Sequence, residues 1–106
     1  MTTFDEREKE FEKRFALDEE QKFKAVARRN KLLGLWAAER LGKGAEEAAA
    51  YAKEVVAAEF DGGDAAVVRK VMGDLAAKGA TPVEAEIRAK MVELTAVAAA
   101  QVKAGT

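Results

Sequence analysis

The chemistry open to this chain is set by the side chains it lacks. Among its 106 residues there is no Cys, no His and no Ser. Thiolate and imidazole ligands for zinc, haem or iron-sulfur clusters are therefore missing, as are disulfides and Cys-His or Ser-His nucleophiles. What remains is 19 acidic and 18 basic side chains, Tyr51 and a few Thr. No spacing among them assembles a nucleophile, a base and oxyanion donors, so the chain reads as a binding protein and not as an enzyme. The imidazole that usually switches charge near neutral pH is absent too. Leu41-Gly42-Lys43-Gly44 lacks the spacer and the Lys-Ser/Thr ending of a phosphate loop, and Asp61-Gly62-Gly63-Asp64 is too short for a calcium loop.

Binding chemistry is concentrated at the N-terminal end. Residues 1–31 carry 17 charged side chains against 20 in the other 75. From Asp5 to Arg14 every residue except Phe11 is charged, yet Phe4, Phe11 and Phe15 recur at spacings of seven and four, along one side of a helix. Two readings follow: a first helix folded onto the rest of the protein, or a segment that enters a partner's groove. Glu8 interrupts the stripe, and so polar a segment has little to bury, which favours the second. The rings are then anchors, with Arg7, Lys13 and Arg14 as ion-pair donors. Lys22, Lys24, Arg28, Arg29 and Lys31 form a second cluster free of acids. It is either a solvated helix face or a patch for docking or anion binding, with Lys24, Arg28, Arg29 and Lys31 as its candidate contacts.

The elements that position these residues are all helical. Asp18 and Gln21 have the offset of a capping box, predicting a helix over 19–41 that stops at Gly42. Further helices are predicted over 45–60, over 65–78 with Asp64 as cap and Gly79 as stop, and over 82–103. The last opens with Thr81-Pro82-Val83-Glu84, a cap, a first-turn proline and a capping-box acid in register. Phe23, Val26, Leu33 and Trp36, then Val55 and Val56, Val68, Val71 and Leu75, and Val83, Ile87 and Met91 make the apolar stripes. Gly34 is read as a place of close helix approach, Asn30 as a hydrogen-bonding group inside the bundle, and Trp36 and Tyr51 as core anchors. The fold class is thus all-α: a four-helix bundle over 18–106, preceded over 1–17 by a mobile, potentially helical arm. A net charge of −1 gives no global pull toward nucleic acid or an anionic membrane. With no apolar run near the roughly 20 residues of a membrane span and no secretion signal, a soluble cytoplasmic protein is expected.

Several runs resemble one family. Thr3-Phe4-Asp5-Glu6-Arg7-Glu8, Phe15-Ala16, Phe23-Lys24-Ala25, Ala27-Arg28-Arg29-Asn30-Lys31-Leu32-Leu33-Gly34-Leu35-Trp36-Ala37 and Ile87-Arg88-Ala89-Lys90-Met91 are similar to the alphaproteobacterial ATPase inhibitor zeta subunits, and the resemblance spans essentially the whole chain. It implies a regulatory four-helix bundle of the F-type ATP synthase. The N-terminal segment of that subunit enters the catalytic sector between alpha and beta subunits and blocks rotation, carried by gamma, in the hydrolysis direction. Carried over, the inhibitory segment is about Met1 to Leu17, with Phe4, Arg7, Glu8, Phe11, Lys13, Arg14 and Phe15 as partner contacts. The resemblance also implies weak adenine-nucleotide binding, at a place no motif marks, and a location at the cytoplasmic face of the inner membrane by way of the enzyme.

Overall fold

The computed structural model describes residues 16–106. Within them lie helices α1 (Glu19–Arg40), α2 (Ala45–Ala58), α3 (Asp64–Ala77) and α4 (Glu84–Lys103), with a 3-10 turn, Glu59–Asp61, between α2 and α3. There is no strand among the described residues, and the four-helix bundle expected from the periodicity is what forms.

The boundaries follow local chemistry. Asp18 accepts the Gln21 amide proton at 2.8 Å while the Gln21 side chain accepts that of Asp18 at 3.1 Å, so α1 opens with the predicted capping box. At its end Gly42 takes φ 73°, and the Gly42 and Lys43 amides return to the Glu39 and Ala38 carbonyls. Gly79, at φ 89°, closes α3 with the same pair of bonds, to Ala76 from itself and to Leu75 from Ala80. Both are Schellman closures, in which a left-handed residue satisfies carbonyls the helix leaves orphaned.

Several expected details differ. α1 closes at Arg40, with Leu41 as its capping residue. α2 stops at Ala58, because the chain tightens into the 3-10 turn before Gly62 and Gly63, both at positive φ. Asp64 does not cap α3: Gly63 holds the cap position, and the Asp64 carboxylate turns to Arg29. The capping box at Thr81 is not formed either. Val83 is extended (φ −113°, ψ 123°), so the helix begins at Glu84, whose carboxylate pairs forward with Arg88 at 2.9 Å instead of reaching back. Phe23 and Val83, placed on core stripes by periodicity, are exposed.

α1 is the central element, lying along both α2 and α4, while α3 touches the other three helices. The core draws Leu33 and Ala37 from α1 and Leu41 from its cap, Tyr51 and Val55 from α2, Val67, Val71 and Leu75 from α3, and Ile87 and Met91 from α4. The α1–α2 seam is set by Gly34. A Cβ there would lie 2.7 Å from the Ala52 Cα and 3.2 Å from its Cβ, so two backbones meet with no room for a methyl group. Glycine inside a helix costs about 1 kcal/mol relative to alanine; close packing offsets it.

Gly73 provides the control, since it lies within α3 with nothing within 4 Å of its own hypothetical Cβ. Gly73→Ala should raise stability by about 0.5–1 kcal/mol. Gly34→Ala, despite the same gain in helix propensity, should lower it by about 1–2 kcal/mol through overpacking. Urea unfolding of the two variants checks this, and equal shifts in the same direction would contradict the seam.

Candidate functional site

The site residues expected on the arm, Phe4, Arg7, Glu8, Phe11, Lys13, Arg14 and Phe15, lie outside the described residues. What is described is the arm's root. Ala16 has φ 51°, a left-handed conformation uncommon for a residue bearing a Cβ, so the chain turns sharply before the Asp18 cap. α1 is therefore not continued backward through Ala16. The Ala16 carbonyl accepts a hydrogen bond from Lys103 Nζ at 3.4 Å, tying the root to the end of α4.

The second cluster is divided by helix geometry. Lys24, Arg28 and Lys31, spaced four and three apart, share one side of α1, but Arg29 is rotated about 100° from Arg28 and faces inward. Its side chain is 1% exposed. The expected grouping of Arg29 with the surface patch is therefore corrected: this guanidinium belongs to the interior. The signal was present in the sequence, because Ala25, Arg29, Leu33 and Ala37 recur every four residues and all are buried.

Of the three that face outward, Lys24 pairs with Glu20 at 3.0 Å on the same helix. Arg28 donates to Gln101 Oε1 at 2.9 Å and to the Thr106 carbonyl at 2.7 Å, which fixes the end of α4 against α1. Lys31 is exposed and makes no ion pair among the described residues.

Arg29 stands at the centre of a buried polar network. Its Nη2 donates to Asp64 Oδ1 at 2.6 Å, to Glu59 Oε1 at 3.1 Å and to Asn30 Oδ1 at 2.9 Å, and its Nε donates to the same Asn30 oxygen at 3.0 Å. Asn30 Nδ2 in turn donates to Glu59 Oε1 at 2.8 Å, the interior hydrogen bond expected of that residue. One cation thereby joins α1 to the 3-10 turn and to the first residue of α3. Burying a charge is tolerated only when it is paired and hydrogen-bonded, and here two carboxylates and an amide meet that demand. Burial pushes the Glu59 carboxyl above the usual range; the Asn30 hydrogen bond opposes this, the charge of Asp64 adds to it, and Arg29 pulls it back down, leaving a net rise.

Tyr51 and Trp36 have structural surroundings. Tyr51 is buried, and its hydroxyl donates to Asp74 Oδ2 at 2.8 Å. Burial first, then that hydrogen bond and the charges of Asp74 and Glu54, drive the hydroxyl far above its ordinary value, so it keeps its proton. Lys70 bridges Glu54 at 2.8 Å and Asp74 at 2.9 Å beside it. Trp36 is only partly buried at the margin of the core, with the Arg40 guanidinium 4.5 Å above its ring. Among the described residues, no three His, Cys, Asp or Glu are grouped to hold a metal ion.

Two cavities along α1 are open grooves. One, of about 530 Å³, is lined by Phe23, Lys24, Arg28, Lys31 and Val102 among others; the second, of about 660 Å³, by Phe23, Val26, Asn30, Val56, Glu59 and Phe60. Sequence reasoning missed Phe60 and Val56 as surface groups, because period alone does not show that α2 gives way to a 3-10 turn beside Phe60.

The Arg29 network yields a pH-dependent expectation. Replacing Arg29 with Met removes the one influence of this cation that holds Glu59 down, so the Glu59 carboxyl rises further. An acid whose folded pKa lies above its unfolded value contributes stability that is full below the unfolded pKa and lost as pH climbs through the folded one. Arg29→Met should therefore destabilise by about 3 kcal/mol at pH 7 and by clearly less near pH 4. Chemical denaturation at both pH values measures this, and an equal loss at each would contradict the network.

Comparison with known proteins agrees with this architecture. Among curated proteins none matches. A protein solved by solution NMR is 55% identical to this chain with a TM-score of 0.69, the alignment covering 79% of this chain and 96% of that one. The sequence profile of ATPase inhibitor subunit zeta matches residues 1–101, nearly the full length and including the arm, so the chain belongs to the ATPase inhibitor subunit zeta family.

Proposed function

We propose that this chain is a regulatory subunit that restrains ATP hydrolysis by the F-type ATP synthase. The observation that carries this is the family match over residues 1–101, which takes in both the charged arm and the bundle. In this reading, residues 1–17 enter the catalytic sector between alpha and beta subunits and oppose rotation of gamma in the hydrolysis direction. Phe4, Phe11 and Phe15 supply apolar anchors on one helical side, and Arg7, Glu8, Lys13 and Arg14 supply ion pairs at the rim. Aromatic rings buried in a groove hold most of the binding energy of such an interface, while rim charges contribute little. The chain acts by occupancy and does no chemistry itself.

The geometry of the root supports a division of labour. The capping box at Asp18 starts α1 independently of what precedes it, and the four described helices bury a continuous core. None of these helices is long and apolar enough to cross a membrane. Association with the cytoplasmic face of the inner membrane then comes through the enzyme. A second reading is a nucleotide- or anion-sensing module that uses the outer cations of α1 and carries the weak adenine-nucleotide binding implied by the resemblance. It has less support, because Arg29 is enclosed, Lys24 is paired with Glu20 and Arg28 is hydrogen-bonded to Gln101 and the Thr106 carbonyl, which leaves Lys31 as the outer cation of this set with neither an ion pair nor a side-chain hydrogen bond among the described residues.

Deleting residues 1–17 should leave unfolding cooperative while inhibition of the purified ATPase is lost. Within the full chain, Phe11→Ala or Phe15→Ala should weaken inhibition by about thirtyfold, corresponding to about 2 kcal/mol, whereas Glu12→Ala should change it little. Titration of ATPase activity distinguishes these, and undiminished inhibition by the truncated chain would move the functional surface into the bundle.

A further inference from the structure

Two carboxylates meet one guanidinium nitrogen where the 3-10 turn joins α3. Arg29 Nη2 donates to Asp64 Oδ1 at 2.6 Å and to Glu59 Oε1 at 3.1 Å, and Asp64 Oδ2 also accepts from Nη1 at 3.4 Å. Asp64 is the better-paired anion, which leaves the second carboxylate in excess of the charge that Arg29 supplies. Glu59 Oε1 also accepts from Asn30 Nδ2 at 2.8 Å, and an amide donor serves a neutral acid as well as its anion. The other oxygen faces the turn: a Cβ built on Gly63, the residue before Asp64, would lie 3.7 Å from Glu59 Oε2. The Glu59 and Asp64 carboxyl groups stand within hydrogen-bonding reach of each other, so a proton on Glu59 can be donated to Asp64. Two carboxylates sharing one site resist being ionised together.

The other charges facing Glu59 do not remove this excess. On α1, Glu19 and Lys22 line the same groove and pair with each other at 3.2 Å. On α3, the exposed Arg69 reaches the turn at Gly62, its Nη2 lying 3.5 Å from where a Cβ would stand. Asp61, in the turn itself, is exposed and adds only negative charge. Among the described residues, α2 gives this groove Val56 and α4 gives it nothing.

We propose that Glu59 is a proton-operated latch: it takes one proton from solvent, shares it with Asp64, and so holds the Glu59–Asp61 turn and Phe60 firmly on α1. Ionised, Glu59 repels Asp64, and the turn is held less firmly, through the pairing of Asp64 with Arg29. The direction of the Glu59 equilibrium agrees, since burial first and the charge of Asp64 after it outweigh Asn30 and Arg29 and leave this carboxyl above its usual range. A raised acid contributes stability that is full below its unfolded pKa and lost as pH climbs through the folded one, so the turn is tightest in acid. The amides of Gly62 and Gly63 both return to the Glu59 carbonyl, and Phe60 lines the groove beside it, so proton binding is felt at this groove. The latch belongs to the bundle and is independent of the ATP synthase reading.

The test is an NMR titration of the full chain between pH 4 and pH 8. The Glu59 side-chain carboxyl carbon should titrate above the usual glutamate range, and the amide signals of Phe60 and Gly63 should move with the same midpoint. Protection of the Gly63 amide, corrected for the intrinsic pH dependence of exchange, should fall severalfold across that midpoint. Glu59→Gln keeps an acceptor for Asn30 and gives Asp64 a permanent N–H donor, so it should hold these signals at their acid values up to pH 8. Asp64→Asn should bring the Glu59 midpoint down, because one carboxylate then has Arg29 to itself. A Glu59 midpoint in the ordinary range, or Phe60 and Gly63 signals that stay still while Glu59 titrates, would overturn the latch. So would a Glu59→Gln variant that loses Gly63 protection as the wild type does, or an Asp64→Asn variant whose Glu59 midpoint is unmoved.

Discussion

The buried Arg29 guanidinium is the constraint around which the bundle is arranged. It sits on the central helix, where no water reaches it, and it must be neutralised by groups from other elements. Glu59 and Asp64 provide that charge from either side of the turn between α2 and α3, and the Asn30 amide oxygen accepts from Nε and Nη2 as well. The consequence is positional. The 3-10 turn cannot drift from α1 without leaving a buried cation unpaired, which is far more costly than losing a surface ion pair. Phe60, within that turn, is thereby held on the groove that Phe23 also lines.

A second constraint acts further along the same helix. At Gly34 the backbones of α1 and α2 approach too closely for any side chain, and the alanines of α2 allow it. Electrostatics fixes one part of the α1–α2 pair and steric closeness another. Between them the helix that follows the arm is held in one place.

Much of this architecture was legible in the sequence because helix signals are local. The Asp18–Gln21 box and the stops at Gly42 and Gly79 each depend on a few neighbouring residues, and each formed as expected. Close approach at Gly34 was also readable, since a glycine in mid-helix beside the apolar stripe is costly unless a neighbouring backbone needs the room. The failures were contests between local signal and tertiary demand. Asp64 had the right type and position to cap α3, but a buried guanidinium claimed its carboxylate. Glu84 could have closed a capping box and paired with Arg88 instead. Arg29 was grouped with Arg28 by adjacency, although neighbouring residues on a helix point in different directions. Which side is buried becomes plain only when Ala25, Leu33 and Ala37 are counted with it. Phe23 and Phe60 escaped for a related reason: an apolar period shows where a core can form, and nothing local shows which apolar groups are left outside it.

The central claim is that residues of the arm lie between alpha and beta subunits when hydrolysis is arrested. The most direct measurement is site-specific photocrosslinking from position 11 of the full chain in the inhibited complex, with the attached peptides identified by mass spectrometry. The account predicts adducts to both alpha and beta subunits, lost when Phe15 is replaced by Ala. Efficient inhibition with no adduct from position 11 to either subunit would contradict it.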